Sequence, residues 1–220
     1  MIRQITHNRD IQVRIERQIA RYQQQSKPFN AFIEGVGKAQ EVTTKFHDID
    51  EGLNRIVRQN FFINAITCLE VYIKDTIVHR ADAWSPEGLD KLLTINLTLK
   101  DAAKLLSIKD ATPTLLYSHY RNYSNLKSIA DDLNLLVKPK IDFINFINKQ
   151  MPKADEVGNN TFEEWESALE EMYELRHEFV HSKSDYDPHP DEINDLATML
   201  QLLGNFAEFF FEDYLSKAKD

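Results

Sequence analysis

Turn-forming residues are scarce: six glycines and seven prolines serve 220 residues, about half the usual share. Sandwiches and barrels need frequent turns, and a dinucleotide-binding fold needs a glycine-rich one, so the composition argues against all three. One cysteine, Cys68, leaves no internal disulfide and no cysteine-based zinc site, which points to a cytoplasmic setting. The start, MIRQITHNRDIQVRIERQ, lacks the apolar stretch of a secretory leader. No run approaches the ~18 apolar residues of a membrane span. Basic residues are also in deficit, 26 Lys and Arg against 35 Asp and Glu, for a formal net charge of −9. That balance argues against a general basic face for duplex DNA, whose binding is mostly phosphate neutralisation. It leaves room for a small local basic site.

What is abundant is apolar residues at helical spacing. Residues 9–25 predict a helix with Ile11, Ile15, Ile19 and Tyr22 on one stripe and Arg14, Arg17 and Arg21 on another face. Residues 1–27 carry six basic and two acidic side chains. Such a face either meets acidic residues elsewhere in the fold or guides a phosphate or an acidic partner. Pro28 and the Gly35–Gly37 pair predict a break. From Leu53 to Ser85 neither Gly nor Pro occurs, and Ile56, Ile63, Ile66, Val71 and Ile77 keep helical spacing. A long, mostly buried helix is expected there. Ser85-Pro86-Glu87 predicts a short helix to about Leu93, and residues 99–107 another.

Pro113 is expected to open a helix running through Leu136, with Tyr117, Tyr120 and Tyr123 as packing residues. Base stacking on these rings is the outside alternative. A helix over 140–150 follows Pro139. Thr161-Phe-Glu-Glu164 reads as a capping box. It opens a helix with Trp165, Leu169, Met172, Arg176 and Phe179 on one face. The last helix is predicted from about Asp191 to Lys217, and its Phe209-Phe210-Phe211 run belongs at the bundle centre or in a subunit interface. No strand pattern with period two is present. The fold class is all-α, with an N-terminal helical extension over 1–48 and a helical bundle over 49–220.

One segment carries chemistry: Glu174-Leu175-Arg176-His177-Glu178-Phe179-Val180-His181. It contains H-E-x-x-H, which composition alone would produce ~0.02 times in such a chain. Two histidines four apart share a helix face and can bind zinc while the glutamate activates water. The surroundings oppose that reading. The glycine-then-histidine extension of one zinc-peptidase class is absent, and no sheet is predicted to bind a substrate backbone. The third ligand would have to come from distant Glu208 or Glu212. The same segment places His181 five positions after Arg176, with polar His177 between. In a continuous helix the two side chains would lie about 140° apart in azimuth and about 7.5 Å apart along the axis. Either the helix ends near His181 or a site built on them needs two subunits.

The segment resembles the signature of the HEPN superfamily: an arginine, a polar residue, a few positions with an apolar pair, then histidine. The earlier run Ile63-Asn-Ala-Ile-Thr-Cys-Leu-Glu70-Val-Tyr72 is similar to the second-helix pattern of these domains. The resemblance spans about residues 50 to 217. It implies a bundle of four to five helices that forms a homodimer. It further implies a metal-independent endoribonuclease of toxin–antitoxin or phage-defence type, without cofactor. By position, Arg176 would bind phosphate and offset transition-state charge, His181 would be the general acid/base, and His177 the supporting polar residue. The residue types suit the reaction. RNA brings its own 2′-OH nucleophile, histidine supplies a base near pH 7, and arginine offers a planar fork to the phosphorane.

An antitoxin or nucleotidyltransferase partner is part of the same picture. However, the tyrosine that some members carry two residues after the histidine is replaced here by Lys183, with Tyr186 further on. Two other functions stay open: a non-catalytic HEPN-type dimeric binding module, and a zinc hydrolase. The sign of charge around Arg176 separates the first two. A positive cleft favours the nuclease, and a negative one favours the binding module.

Overall fold

The computed structural model describes residues 28–46, 51–80, 112–137, 141–151, 162–181 and 184–215, with three isolated positions between 81 and 111. These residues form seven helices and no strand: α1 Pro28–Lys45, α2 Glu51–His79, α3 Pro113–Tyr120, α4 Leu126–Val137, α5 Phe143–Gln150, α6 Phe162–Val180 and α7 Pro190–Leu215. The all-α expectation holds. Among the described residues no helix is long and apolar enough to cross a membrane. The expected helices at 9–25 and 99–107, and Thr161 of the capping box, lie outside the described residues, as does the one at 86–93 apart from Gly88 and Asp90, both helical.

Helix α2 is the spine. At 29 residues it is about 43 Å long, and α1, α3, α6 and α7 all pack against it. Its middle is apolar on more than one face because it has neighbours on more than one side. Phe62, Ala65, Ile66, Leu69 and Ile73 are fully buried. Each large side chain sequestered this way contributes roughly 1.5–3 kcal/mol. The ring of Phe62 meets that of Phe179 on α6 edge-on, 5.7 Å between centroids.

The break predicted at Gly35–Gly37 is not there: both glycines sit inside α1, whose described part starts at Pro28. The reason is tertiary. A Cβ on Gly35 would stand 2.9 Å from Cys68 Sγ, so glycine lets α1 lie close along α2. Phe32 and Val36 of α1 belong to the same core as α2. The stretch assigned to an N-terminal extension therefore divides: residues 28–45 are built into the bundle, and residues 1–27 lie outside the described residues.

The helix predicted from Pro113 through Leu136 is two helices. Arg121 leaves the helical conformation after α3. Asn125 then starts α4, its side-chain oxygen accepting from the Ser128 amide at 2.8 Å. Tyr117 and Tyr123 are packing residues as expected, whereas Tyr120 is 41% exposed. In α7, Phe210 and Phe211 are fully buried in the core, and Phe209 is 57% exposed.

The α6–α7 connection is tied to α2. Arg58 makes a two-pronged pair with Asp187, at 2.8 and 2.6 Å. Gln59 donates to the Tyr186 carbonyl at 2.6 Å. Pro190 opens α7 with Asp191 and Glu192 in its first turn, where the helix dipole favours acids. These contacts fix where the chain leaves α6.

Candidate active site

Arg176 and His177 lie in the last turn and a half of α6, and α6 ends at Val180. His181 follows as a turn residue, its amide donating to the His177 carbonyl at 3.3 Å. The helix thus ends beside His181, one of the two outcomes the motif's spacing required. His177 and His181 are both exposed. Their rings meet at 4.5 Å between centroids and 64° between planes. Val180, between them in sequence, is also exposed.

Arg176 turns inward, its side chain 25% exposed. Its Nη2 approaches Glu70 Oε2 on α2 to 3.6 Å, and Glu70's side chain is only 11% exposed. That separation is an ion pair but longer than a hydrogen bond. Burial raises the Glu70 pKa, while the positive charges of Arg176 and then Lys74 oppose the shift. One turn before Arg176, the buried Tyr173 hydroxyl has no hydrogen-bond partner. Glu70 Oε1 and Arg176 Nε have none either. Burial, followed by the Glu70 charge, pushes the Tyr173 hydroxyl well above its ordinary pKa, with Arg176 countering.

A cleft of about 570 Å³ opens over this cluster. One wall is α6, through Glu170, Tyr173, Glu174, Arg176, His177 and Glu178. The other is the α3–α4 loop, through Asn122, Ser124 and Asn125. The loop is held by the buried carboxylate of Asp132, which accepts from Arg121 twice and from the Tyr123 hydroxyl. Glu170, Glu174 and Glu178 recur every four residues, so they share the cleft face of α6. Three carboxylates against one guanidinium make the lining acidic.

Of the three residues singled out in the sequence, Arg176 and His177 line the cleft together. His181 joins through its ring contact with His177 and is not itself a wall residue. Sequence reasoning missed the part played at the site by Glu70, Glu170, Tyr173 and the loop residues Asn122, Ser124 and Asn125. Glu70 had a signal, a carboxylate inside an apolar helix, which requires a partner. Asn122, Ser124 and Asn125 had one too, a run of turn-forming residues within a presumed helix. The zinc reading finds no further support. Glu208, a candidate third ligand, accepts from Tyr72 at 2.7 Å and Arg80 at 2.6 Å. Among the described residues no three His, Cys, Asp or Glu side chains are grouped to hold a metal.

No curated protein and no solved structure matches the chain. The family model described as RiboL-PSP-HEPN matches it over residues 26–214. That span takes in α1 through nearly all of α7, including both Glu70 and the Arg176–His181 segment. The chain belongs to the RiboL-PSP-HEPN family, and its helical bundle is a HEPN domain.

Proposed function

We propose that the protein is a metal-independent endoribonuclease whose working site forms when two copies bring their α6 ends together. One observation carries this reading: Arg176 and His177 line an open cleft where α6 stops, and the His181 ring meets that of His177. Arg176 offers donors for a phosphate. The exposed imidazole of His181 is free to take the 2′-OH proton and return one to the leaving 5′ oxygen. His177 supports that ring. The partners belonging to this reading are RNA and a second copy of the chain, with an antitoxin or nucleotidyltransferase as the regulator. The test is cleavage of RNA by the full chain in excess chelator. Arg176→Ala and His181→Ala are each expected to lower the rate ~10²–10⁴-fold. Undiminished cleavage by both variants would refute these roles.

A second reading has its own support. The cleft lining is acidic, as expected for a HEPN-type module that binds a basic partner and cuts nothing. RNA binding measured alongside cleavage decides between them. Binding lost in Arg176→Ala favours the nuclease, and no RNA binding by the wild type favours the module.

A further inference from the structure

We infer that residues 9–25 pack along the outer face of α7 of the same chain, as a further amphipathic helix that covers an apolar stripe the bundle leaves open. Nothing in this depends on the roles read for Arg176 and His181.

On α7, Asp195, Met199, Leu202, Phe206 and Phe209 follow one another at alternating steps of four and three. That is the spacing of a seam that receives another helix. Met199 and Phe206 are only partly buried, and the Phe206 ring meets Trp165 of α6 edge-on. Leu202 and Phe209 are exposed, at 38% and 57%. Single exposed apolar residues are ordinary, but a row of them at this spacing makes a contiguous face. From Met199 to Phe209 the stripe runs about 15 Å.

Three observations name its occupant. The first is length. Ile11, Ile15, Ile19 and Tyr22 share one stripe of the sequence, which as a helix covers about 17 Å and so matches the face on α7. A lone helix of this size is marginal in water and needs a surface to lie on. The second is charge. Helix α7 carries six acidic residues and no basic one, whereas residues 1–27 carry six basic and two acidic. Opposite fields of this kind draw the two together. The third is the route of the chain. Gly204, two residues beyond Leu202, lies against the rings of Phe29 and Phe32 of α1. Further along α1, Gln40 donates to Asn194 at 2.7 Å. Helix α1 therefore runs antiparallel to α7, and its first described residues lie beside the middle of the stripe. Tyr22 stands seven residues before Phe29, enough chain to pass around α7, and so short a tether keeps the local concentration high. The family match begins at residue 26, so the covering segment lies outside the matched bundle.

Limited digestion of the full chain with trypsin, which cuts after Arg14, Arg17 and Arg21, tests this packing. In the wild type these bonds are expected to be cut slowly, at a rate that does not change on dilution. Leu202→Gln combined with Phe209→Gln is expected to speed their cleavage about tenfold or more by opening the contact. Ile15→Gln should act alike from the other side without altering the bundle, and adding it to the α7 pair should bring little more. Val42→Gln with Ile56→Gln, at exposed apolar residues of α1 and α2, should leave the rate as it was. Rapid cleavage of the wild type overturns the inference, as does protection that the α7 variants and Ile15→Gln leave intact. Equal loss of protection in the Val42 and Ile56 variant overturns it as well. Protection that vanishes on dilution does the same and assigns the face to a second copy of the chain.

Discussion

Arg121 and Asp132 meet as a closed fork, Nε 2.8 Å from one carboxylate oxygen and Nη2 2.6 Å from the other. Tyr123 adds a third hydrogen bond at 2.8 Å. This pair breaks what would be one helix into α3 and α4 and sets the outer wall of the cleft. Removing one partner of a buried pair costs ~3–5 kcal/mol. The Arg121 side chain is 36% exposed and can rehydrate, so Asp132→Ala should fall at or below the lower end. A denaturant midpoint shift of that size, with an unchanged slope, is the expected result.

Two glycines inside helices should respond oppositely to alanine. A Cβ at Gly204 would stand 2.6 Å from the Phe32 ring, whereas one at Gly37 meets nothing within 4 Å. Gly204→Ala is expected to lose ~1–3 kcal/mol through overpacking of α7 against α1. Gly37→Ala should gain ~0.5–1 kcal/mol from helix propensity alone. Thermal melts of the two variants check the pair.

Tyr186 gives a pH-dependent signature for the α6–α7 connection. Its hydroxyl donates to Glu192, and that bond, with the Glu192 charge behind it, raises its pKa to about 12. The raised value means that the bond's contribution is complete below pH 10, the ordinary value. It is lost as pH climbs through about 12. Phenolate absorbance should include a step near pH 12, below those of the buried tyrosines, and Tyr186→Phe should delete it.

The acidic lining sets a further expectation. Glu170, Glu174 and Glu178 repel phosphate near Arg176. Replacing all three by Gln should tighten RNA binding severalfold, roughly three- to tenfold, and more so at low salt. Filter binding at two ionic strengths measures it. Unchanged affinity would place the bound RNA away from this cleft.

Periodicity and turn chemistry made most helices legible. The long uninterrupted run after Leu53 became α2, and Pro190 with its acidic neighbours opens α7. Tertiary contacts were not legible. The glycines of α1 read as a break, yet Gly35 serves a close approach to Cys68, a residue far along the chain, and Gly37 sits in the helix with open space around it. The α3–α4 junction was hidden because Tyr117, Tyr123, Leu126 and Ile129 are all core residues, so apolar spacing continues across the loop. For the site, the string Arg176–His181 was visible, but its placement was not. Glu70 lies more than a hundred residues earlier, and only folding brings it to Arg176.

The most direct test of the account looks at the cut ends of RNA after incubation with the full chain in excess chelator. Attack by the neighbouring 2′-OH leaves a 2′,3′-cyclic phosphate, and a strand with a 2′-deoxy sugar at the cut position should be spared. The account predicts that product from the wild type and its loss in Arg176→Ala and His181→Ala. Ends bearing 3′-hydroxyls, or cleavage that appears only with a divalent metal, would contradict it.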